Sequence, residues 1–246
     1  MANPSLIQRF NRRFPYPVRL LLIGLVGVGL LPVLQASMAY GVILYYVATD
    51  SGRTCPVPKM LRSPLLNSRF AGLHKEAVGE AKVIARDDQF GIIQVQTMGR
   101  KFWVKATGES MDGQTLVPYL IAEHIWMGEA NPGESVQPGD TVIDCGAHIG
   151  TFTADALARG ARRVIAIEPD STNLECLRRN FQREIAGGKV ILIPKAVWSE
   201  ETTLKFMISD LNSGMNSAVI KSGTRTVEVP ATTIDAIVRE HGIERV

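Results

Sequence analysis

A glycine-rich turn between a buried strand and a helix constrains this 246-residue chain more than any other feature. Residues 142–150 read as a short apolar strand that runs into the pattern D-x-G-x-x-x-G and then into a helix. A second apolar strand, residues 163–167, ends at Glu168. A strand, a glycine turn, a helix and a second strand that closes on a carboxylate are typical of a nucleotide-type cofactor site in an α/β fold.

The spacing of the two glycines distinguishes between candidate cofactors. The dinucleotide fingerprint G-x-G-x-x-G places its first glycine at the strand end, where helix amides face a pyrophosphate. Here the strand ends at Asp144, with Gly146 and Gly150 after it, so a carboxylate stands where phosphates would have to fit. A positive sulfonium with an amino-acid tail suits this turn better, and we predict S-adenosylmethionine (SAM) over NAD. An ordinary βα turn whose glycines serve geometry alone is the alternative.

The turn and the second strand supply the residues predicted to hold SAM. Gly146 lets the backbone approach the ligand, Glu168 accepts hydrogen bonds from the ribose hydroxyls, and Asp144 orders the turn around the methionine end. The full predicted set is Asp144, Gly146, Ala147, His148, Gly150, Glu168, Pro169 and Ala196. We name no catalytic base. The four histidines and three cysteines lack metal-ligand spacing, so we predict neither a metal site nor a disulfide.

Five stretches between Tyr119 and Val246 carry a family resemblance. They are residues 138–153, 167–170, 177–180, 195–197 and 232–235. The first two are specific together, and the others count through their order. In these stretches the chain resembles the FkbM-type family of class I SAM-dependent methyltransferases. The resemblance implies transfer of a methyl group from SAM to an acceptor, commonly a hydroxyl oxygen on a sugar or secondary metabolite.

The chain departs from the family pattern in two places. Many relatives of the wider class put Asp-Ala beside the adenine amino group, whereas this chain has Lys195 and Ala196. Lysine cannot accept a hydrogen bond from that amino group, so adenine would be read by backbone atoms and apolar contacts. The chain also stops at Val246, where the family enters its fourth parallel strand. We interpret it as a fragment of a longer protein, with a cofactor-binding remnant as the alternative.

An almost wholly apolar segment, Val18 to Ala48, precedes all of this. It exceeds the roughly 20 residues that cross a bilayer and shows no polar stripe, so residues 1–48 are predicted to be a membrane anchor. Pro32 either kinks one span or divides the segment into a re-entrant hairpin. A signal peptide cleaved after Ala39 is the rival interpretation. Since SAM is a cytosolic metabolite, we expect a cytosolic catalytic domain.

The rest of the chain is predicted to contain a linker (49–78), a small antiparallel β meander (79–110) and a methyltransferase-like domain (111–246). In the last, strands and helices alternate as follows: strand 141–145, helix 151–159, strand 163–167, helix 171–185 and strand 189–193. The predicted fold class is α/β: a Rossmann-like SAM-methyltransferase sheet, C-terminally incomplete, preceded by the meander and the membrane segment.

Several smaller elements complete the expectations. Asp112 is predicted to cap a helix, and residues 204–208 and 226–229 to form strands around a polar loop, 212–217. This loop is either a lip of the acceptor site or a solvated hairpin loop. The formal charge of +3 is too small to indicate nucleic acid, so the expected partners are a small-molecule or glycan acceptor and a membrane. A non-catalytic SAM-fold module and a nicotinamide oxidoreductase are the competing functions.

Overall fold

The computed structural model describes residues 57–108, 111–130, 136–209, 213–219 and 225–245. The chain divides into two compact units, Met1–Ser68 and Arg69–Val246. The predicted membrane anchor, residues 1–48, lies outside the described residues. Within the described ranges, no helix combines the length and the apolar character needed to cross a membrane.

The described elements alternate between strands and helices for most of the second unit. In chain order they are α1 (Val57–Glu80), β1 (Lys82–Asp87), β2 (Ile92–Thr97), β3 (Arg100–Lys105), α2 (Gly113–Ala130), β4 (Thr141–Cys145), α3 (Thr151–Ala158), β5 (Arg163–Ile167), α4 (Ser171–Asn180), α5 (Gln182–Ala186), β6 (Val190–Ile193), β7 (Ala196–Val197), β8 (Thr202–Ile208), β9 (Arg225–Thr232) and α6 (Ile234–Glu240). A short 3₁₀ turn, Ser213–Met215, stands between β8 and β9.

Helix α1 corrects the linker predicted over 49–78, because residues from Val57 onward are helical. Leu73 and Ala77, one helical turn apart, are 3% and 0% exposed. Thr97 of β2 donates its hydroxyl to the carbonyl oxygen of Ala77 at 2.6 Å. The buried face of the described part of this helix is narrow, so its hydrophobic periodicity is weak. The prolines and charged residues of the segment therefore favoured the prediction of a linker.

The predicted meander is present: β1, β2 and β3 pair antiparallel in that order. Its core strand is β2, where Ile92 and Val95 are almost fully buried. They belong to one hydrophobic cluster with Val117 and Ile121 of α2. That helix begins as predicted, since Asp112 accepts a hydrogen bond from the amide of Thr115 at 2.9 Å.

The parallel sheet is the second layer, with strand order β4-β5-β6. Residues 164–167 of β5 are all completely buried, as expected for a parallel strand with covered faces. Among the described strands, β4 pairs with β5 alone. Val142 of β4 is buried and packs against Ala156 of α3.

The remaining helix and strand predictions differ from the structure in their extent. The single helix predicted over 171–185 is two helices, since Phe181 leaves the helical conformation at φ −124° and ψ 28°. The strands predicted at 204–208 and 226–229 are confirmed and longer, and β8 and β9 pair antiparallel with β7 parallel to β9. The architecture is therefore α/β, with the parallel sheet flanked in sequence by two small sheets.

Candidate functional site

A cavity of about 370 Å³ opens at the carboxyl ends of β4, β5 and β6. Open α/β sheets bind ligands at this edge, and the volume lies in the range of small-molecule sites. The strand ends and the helix after β5 contribute Cys145, Gly146, His148, Ile167, Glu168, Pro169, Asn173 and Lys195 to Trp198. The hairpin of β8 and β9 contributes Leu204, Phe206, Ser213, Gly214 and Asn216 to Val219.

The two glycines of the turn have different tasks. Gly146 has φ +79°, and a Cβ added to it would meet no atom within 4 Å, so its missing side chain leaves open space beside the cavity. Gly150 has φ +88°, and a Cβ there would press on the Phe181 ring and lie 2.9 Å from Leu177 Cδ2. Gly146 is thus a cradle that a side chain would fill, whereas Gly150 permits close packing of the turn on α4.

Asp144 stands behind the cavity and organises the turn. Its carboxylate accepts a hydrogen bond from Thr153 Oγ1 of α3 at 2.6 Å, which fastens the end of β4 to the helix that follows. Burial raises the pKa of Asp144, and the Thr153 hydroxyl opposes that rise. Ala147, the next predicted residue, is also buried and donates its amide to Ile167 O at 3.0 Å.

Glu168 follows the end of β5, and its carboxylate is held by backbone amides. It accepts hydrogen bonds from the amides of His148 at 2.8 Å and Asp170 at 2.9 Å, and a longer one from Asn173 Nδ2 at 3.4 Å. Burial raises the pKa of Glu168 to about 7, although these hydrogen bonds act in the opposite direction. A carboxylate so placed can accept hydrogen bonds from ligand hydroxyls.

His148 adopts a left-handed backbone conformation, with φ +54°. Its Nε2 lies 2.7 Å from the hydroxyl of Ser213, in the hairpin that forms the other wall of the cavity. Burial lowers the pKa of His148 to about 4, so the ring is neutral near pH 7. The side chain therefore serves as a hydrogen-bonding group that joins the turn to the hairpin.

The structure brings part of the predicted site together around the cavity. Of the eight predicted residues, five line it, namely Gly146, His148, Glu168, Pro169 and Ala196. The other three, Asp144, Ala147 and Gly150, support the turn from behind. Asp170 caps α4, because its carboxylate accepts a hydrogen bond from the Asn173 amide at 2.8 Å. In the described part of the chain, no group of three or more His, Cys, Asp and Glu residues could hold a metal ion.

Most of the other residues that line this cavity were not predicted as cofactor-binding residues, among them Asn173, Ser213 and Trp198. Asn173 lies in the first turn of α4, only five residues after Glu168. This short separation could have indicated that Asn173 lies near the same site. Ser213 belongs to the loop 212–217, which was predicted to be either a lip of the acceptor site or a solvated hairpin loop, and it is buried against this cavity. Trp198 lines the cavity near Ala196, together with Leu204 and Phe206. Trp198, Leu204 and Phe206 provide the apolar contacts that were expected for adenine, because no carboxylate follows the third parallel strand.

The parallel sheet, the glycine cradle and the carboxylate at the end of β5 together define a class I SAM-dependent methyltransferase-like domain. The family model described as the Methyltransferase FkbM domain matches residues 144–246. Residues 144–246 thus match the model of this methyltransferase family, in agreement with the predicted resemblance, and the cofactor of the class is SAM.

Solved structures of methyltransferases resemble the chain more distantly. An FkbM methyltransferase from Methylobacillus flagellatus is 14% identical, with 71% of this chain and 38% of that chain covered and a TM-score of 0.29. TYW2 from Pyrococcus horikoshii in complex with MeSAdo is 19% identical, with 47% and 39% covered and a TM-score of 0.34. A SAM-dependent methyltransferase from Agrobacterium tumefaciens is 15% identical, with 48% and 39% covered and a TM-score of 0.31.

The chain spans less than half the length of each of these three proteins. With TM-scores this low, none of them identifies an acceptor for this chain. A comparison with curated proteins found no match.

Proposed function

We propose that this chain is a SAM-dependent methyltransferase that methylates a hydroxyl oxygen on a sugar or small metabolite. The observation that carries the proposal is the open space at Gly146, beside a cavity that Glu168 also lines. Together they supply the close backbone approach and the hydroxyl acceptor that an adenosine-containing ligand with an amino-acid tail requires.

The chain's contribution is binding and orientation. Glu168 would hold the ribose hydroxyls, Gly146 would admit the ligand close to the backbone, and Asp144 would keep the turn in place through Thr153. The apolar wall that includes Ala196 and Trp198 would contact adenine. Bound SAM would supply the methyl group: its sulfur–methyl bond would break with the electrons staying on sulfur, an oxygen–methyl bond would form, and the hydroxyl proton would pass to water. Holding the reacting atoms in line supplies most of the acceleration in such a reaction.

Residues 18–48 would tether this domain to a membrane, with the catalytic part on the cytosolic side. Support comes from the almost wholly apolar character of the segment and from the cytosolic supply of SAM. A small-molecule or glycan acceptor fits the modest net charge of +3, which offers little attraction for a polyanion.

Replacing Gly146 by valine tests the cofactor cradle. Gly146→Val should abolish binding of SAM and of its product S-adenosylhomocysteine (SAH), because the side chain would occupy the space beside the cavity. Gly188→Val is the matched control, since Gly188 has a similar φ of +70°, equally open surroundings and no place in this cavity. It should retain binding. Isothermal titration calorimetry measures both, with NADH titrated in parallel.

Binding of SAH by Gly146→Val within a factor of two of the unchanged chain would contradict the cradle. Binding of NADH in place of SAH would favour an oxidoreductase. The acceptor is tested separately with radiolabelled SAM and a panel of glycosides, small hydroxylated metabolites and transfer RNA. Label on transfer RNA alone would refute the proposed acceptor class.

A further inference from the structure

The residues Ser213–Val219, called here the cover segment, form much of one wall of the cavity. The outer part of the cover segment is fixed to β8. Ser217 exchanges two backbone hydrogen bonds with Met207, at 2.8 and 3.0 Å. Asn216 Oδ1 accepts a third from the amide of Ser209 at 2.8 Å. These contacts hold the segment at the cavity from the side of the hairpin.

The inner end of the cover segment is attached to the cofactor turn instead. Ser213 is 5% exposed, and its hydroxyl lies 2.7 Å from His148 Nε2. Its carbonyl oxygen accepts a longer hydrogen bond, 3.5 Å, from Asn173 Nδ2. Sixty-five residues separate Ser213 from His148 along the chain, so this contact joins the turn after β4 to the segment between β8 and β9.

The backbone of His148 is arranged to make two contacts at once. Its φ of +54° is uncommon for a residue other than glycine, and such a conformation persists only where its surroundings support it. In this conformation the amide donates to Glu168 Oε2 while the ring reaches Ser213. One residue therefore connects the carboxylate proposed to bind ribose with the wall that faces it.

We propose that His148 and Ser213 are positioning residues that hold the cover segment over the bound cofactor. The cofactor leaves the cavity when the hydrogen bond between these two residues breaks. The proposal rests on the proposed function, because it takes SAM as the occupant of the cavity. It assigns residues 213–219 to the cofactor site, whereas the sequence left the loop 212–217 as either a lip of the acceptor site or a solvated hairpin loop. The imidazole is neutral near pH 7, so the hydrogen bond to the Ser213 hydroxyl is one between uncharged groups.

The dissociation rate of SAH measures this role directly. In the full-length chain, Ser213→Ala should release tritiated SAH about five- to tenfold faster, the effect of losing one hydrogen bond. The midpoint of urea unfolding without ligand should stay near that of the unchanged chain. Ser199→Ala is the matched control, because Ser199 is exposed and does not line the cavity. It should leave the rate unchanged.

A double-mutant cycle separates this role from a general structural one. His148→Asn removes the imidazole and keeps a residue type that tolerates the left-handed conformation. If the two side chains act through one bond, the double variant should release SAH no faster than the faster single variant. Additive effects, or a Ser213→Ala rate equal to the unchanged chain, would overturn the inference alone. Failure of the unchanged chain to bind SAH would overturn the proposed function and this inference with it.

Discussion

Glu168 shows at the scale of one residue how the fold prepares a binding group. The residue is 4% exposed, and the backbone amides of His148 and Asp170 donate hydrogen bonds to its carboxylate. Burial disfavours its charge and raises its pKa to about 7, which places its titration near physiological pH. Two hydroxyl donors from a ribose would favour the ionised form. Ligand binding and loss of the proton are therefore coupled.

The affinity for SAH should fall about tenfold between pH 8 and pH 6, as the fraction of ionised Glu168 falls around a pKa of about 7. The sign follows because a protonated carboxyl group cannot accept from both hydroxyls. Calorimetric titration at several pH values measures it. Glu168→Gln should bind SAH weakly and with little dependence on pH. An unchanged profile in this variant would assign the pH dependence to another group.

Asn180 is the residue through which helix α4 joins other elements. Its Oδ1 accepts from the amide of Trp103 at 2.6 Å, and its Nδ2 donates to the carbonyl oxygens of Trp103 and Ile149 at 3.1 and 2.9 Å. The neighbouring Arg179 pairs with Asp87 at 2.9 Å. The guanidinium of Arg179 also lies over the rings of Phe90 and Trp103. The meander, α4 and the cofactor turn are thus fastened together at the end of one helix.

Asn180→Ala should lower the free energy of unfolding by about 1–3 kcal/mol, because three backbone groups lose their hydrogen-bond partner. Binding of SAH should also weaken, since Ile149 belongs to the cofactor turn. Urea unfolding and calorimetry measure the two effects. Arg178→Ala serves as the control, because Arg178 is adjacent and its side chain is 55% exposed. Equal stability of the two variants would show that Asn180 is not a fastening point.

At the scale of the whole molecule, charge and apolar character are distributed unevenly. The net charge is only +3, while Arg9, Arg12, Arg13 and Arg19 crowd the N-terminal end beside or within the apolar run. Attachment to a membrane would therefore depend on apolar side chains rather than on overall charge. The free energy gained by burying some twenty apolar residues in the bilayer greatly exceeds that of electrostatic attraction to the membrane surface.

The full-length chain should consequently stay in the membrane fraction through washes with high salt and alkaline carbonate. Immunoblotting of the pelleted and soluble fractions measures this. A chain beginning at Thr49 is the control and should be released. Recovery of the full-length chain in the soluble fraction without detergent would refute the anchor. A mature start at Tyr40 would indicate a signal peptide.

The sequence alone determined the features that depend on neighbours along the chain. The three parallel strands were predicted to within a residue, because buried parallel strands read as continuous apolar runs. Asp112 caps its helix as predicted, since capping involves an amide only three residues away. The carboxylate at the end of β5 was found for the same reason, since it immediately follows a recognisable strand.

Tertiary structure decided what depends on residues far apart in the chain. Phe181 ends α4, and its ring lies where a Cβ on Gly150 would stand. Ser213 reaches the cofactor turn through a contact with His148, and Asn180 reaches Trp103 across 77 residues. No local pattern reports such contacts, because they form only when separate elements pack. The nine consecutive residues 142–150 were thus enough to predict the cofactor turn. The opposite wall of the cavity could be identified only from the folded chain.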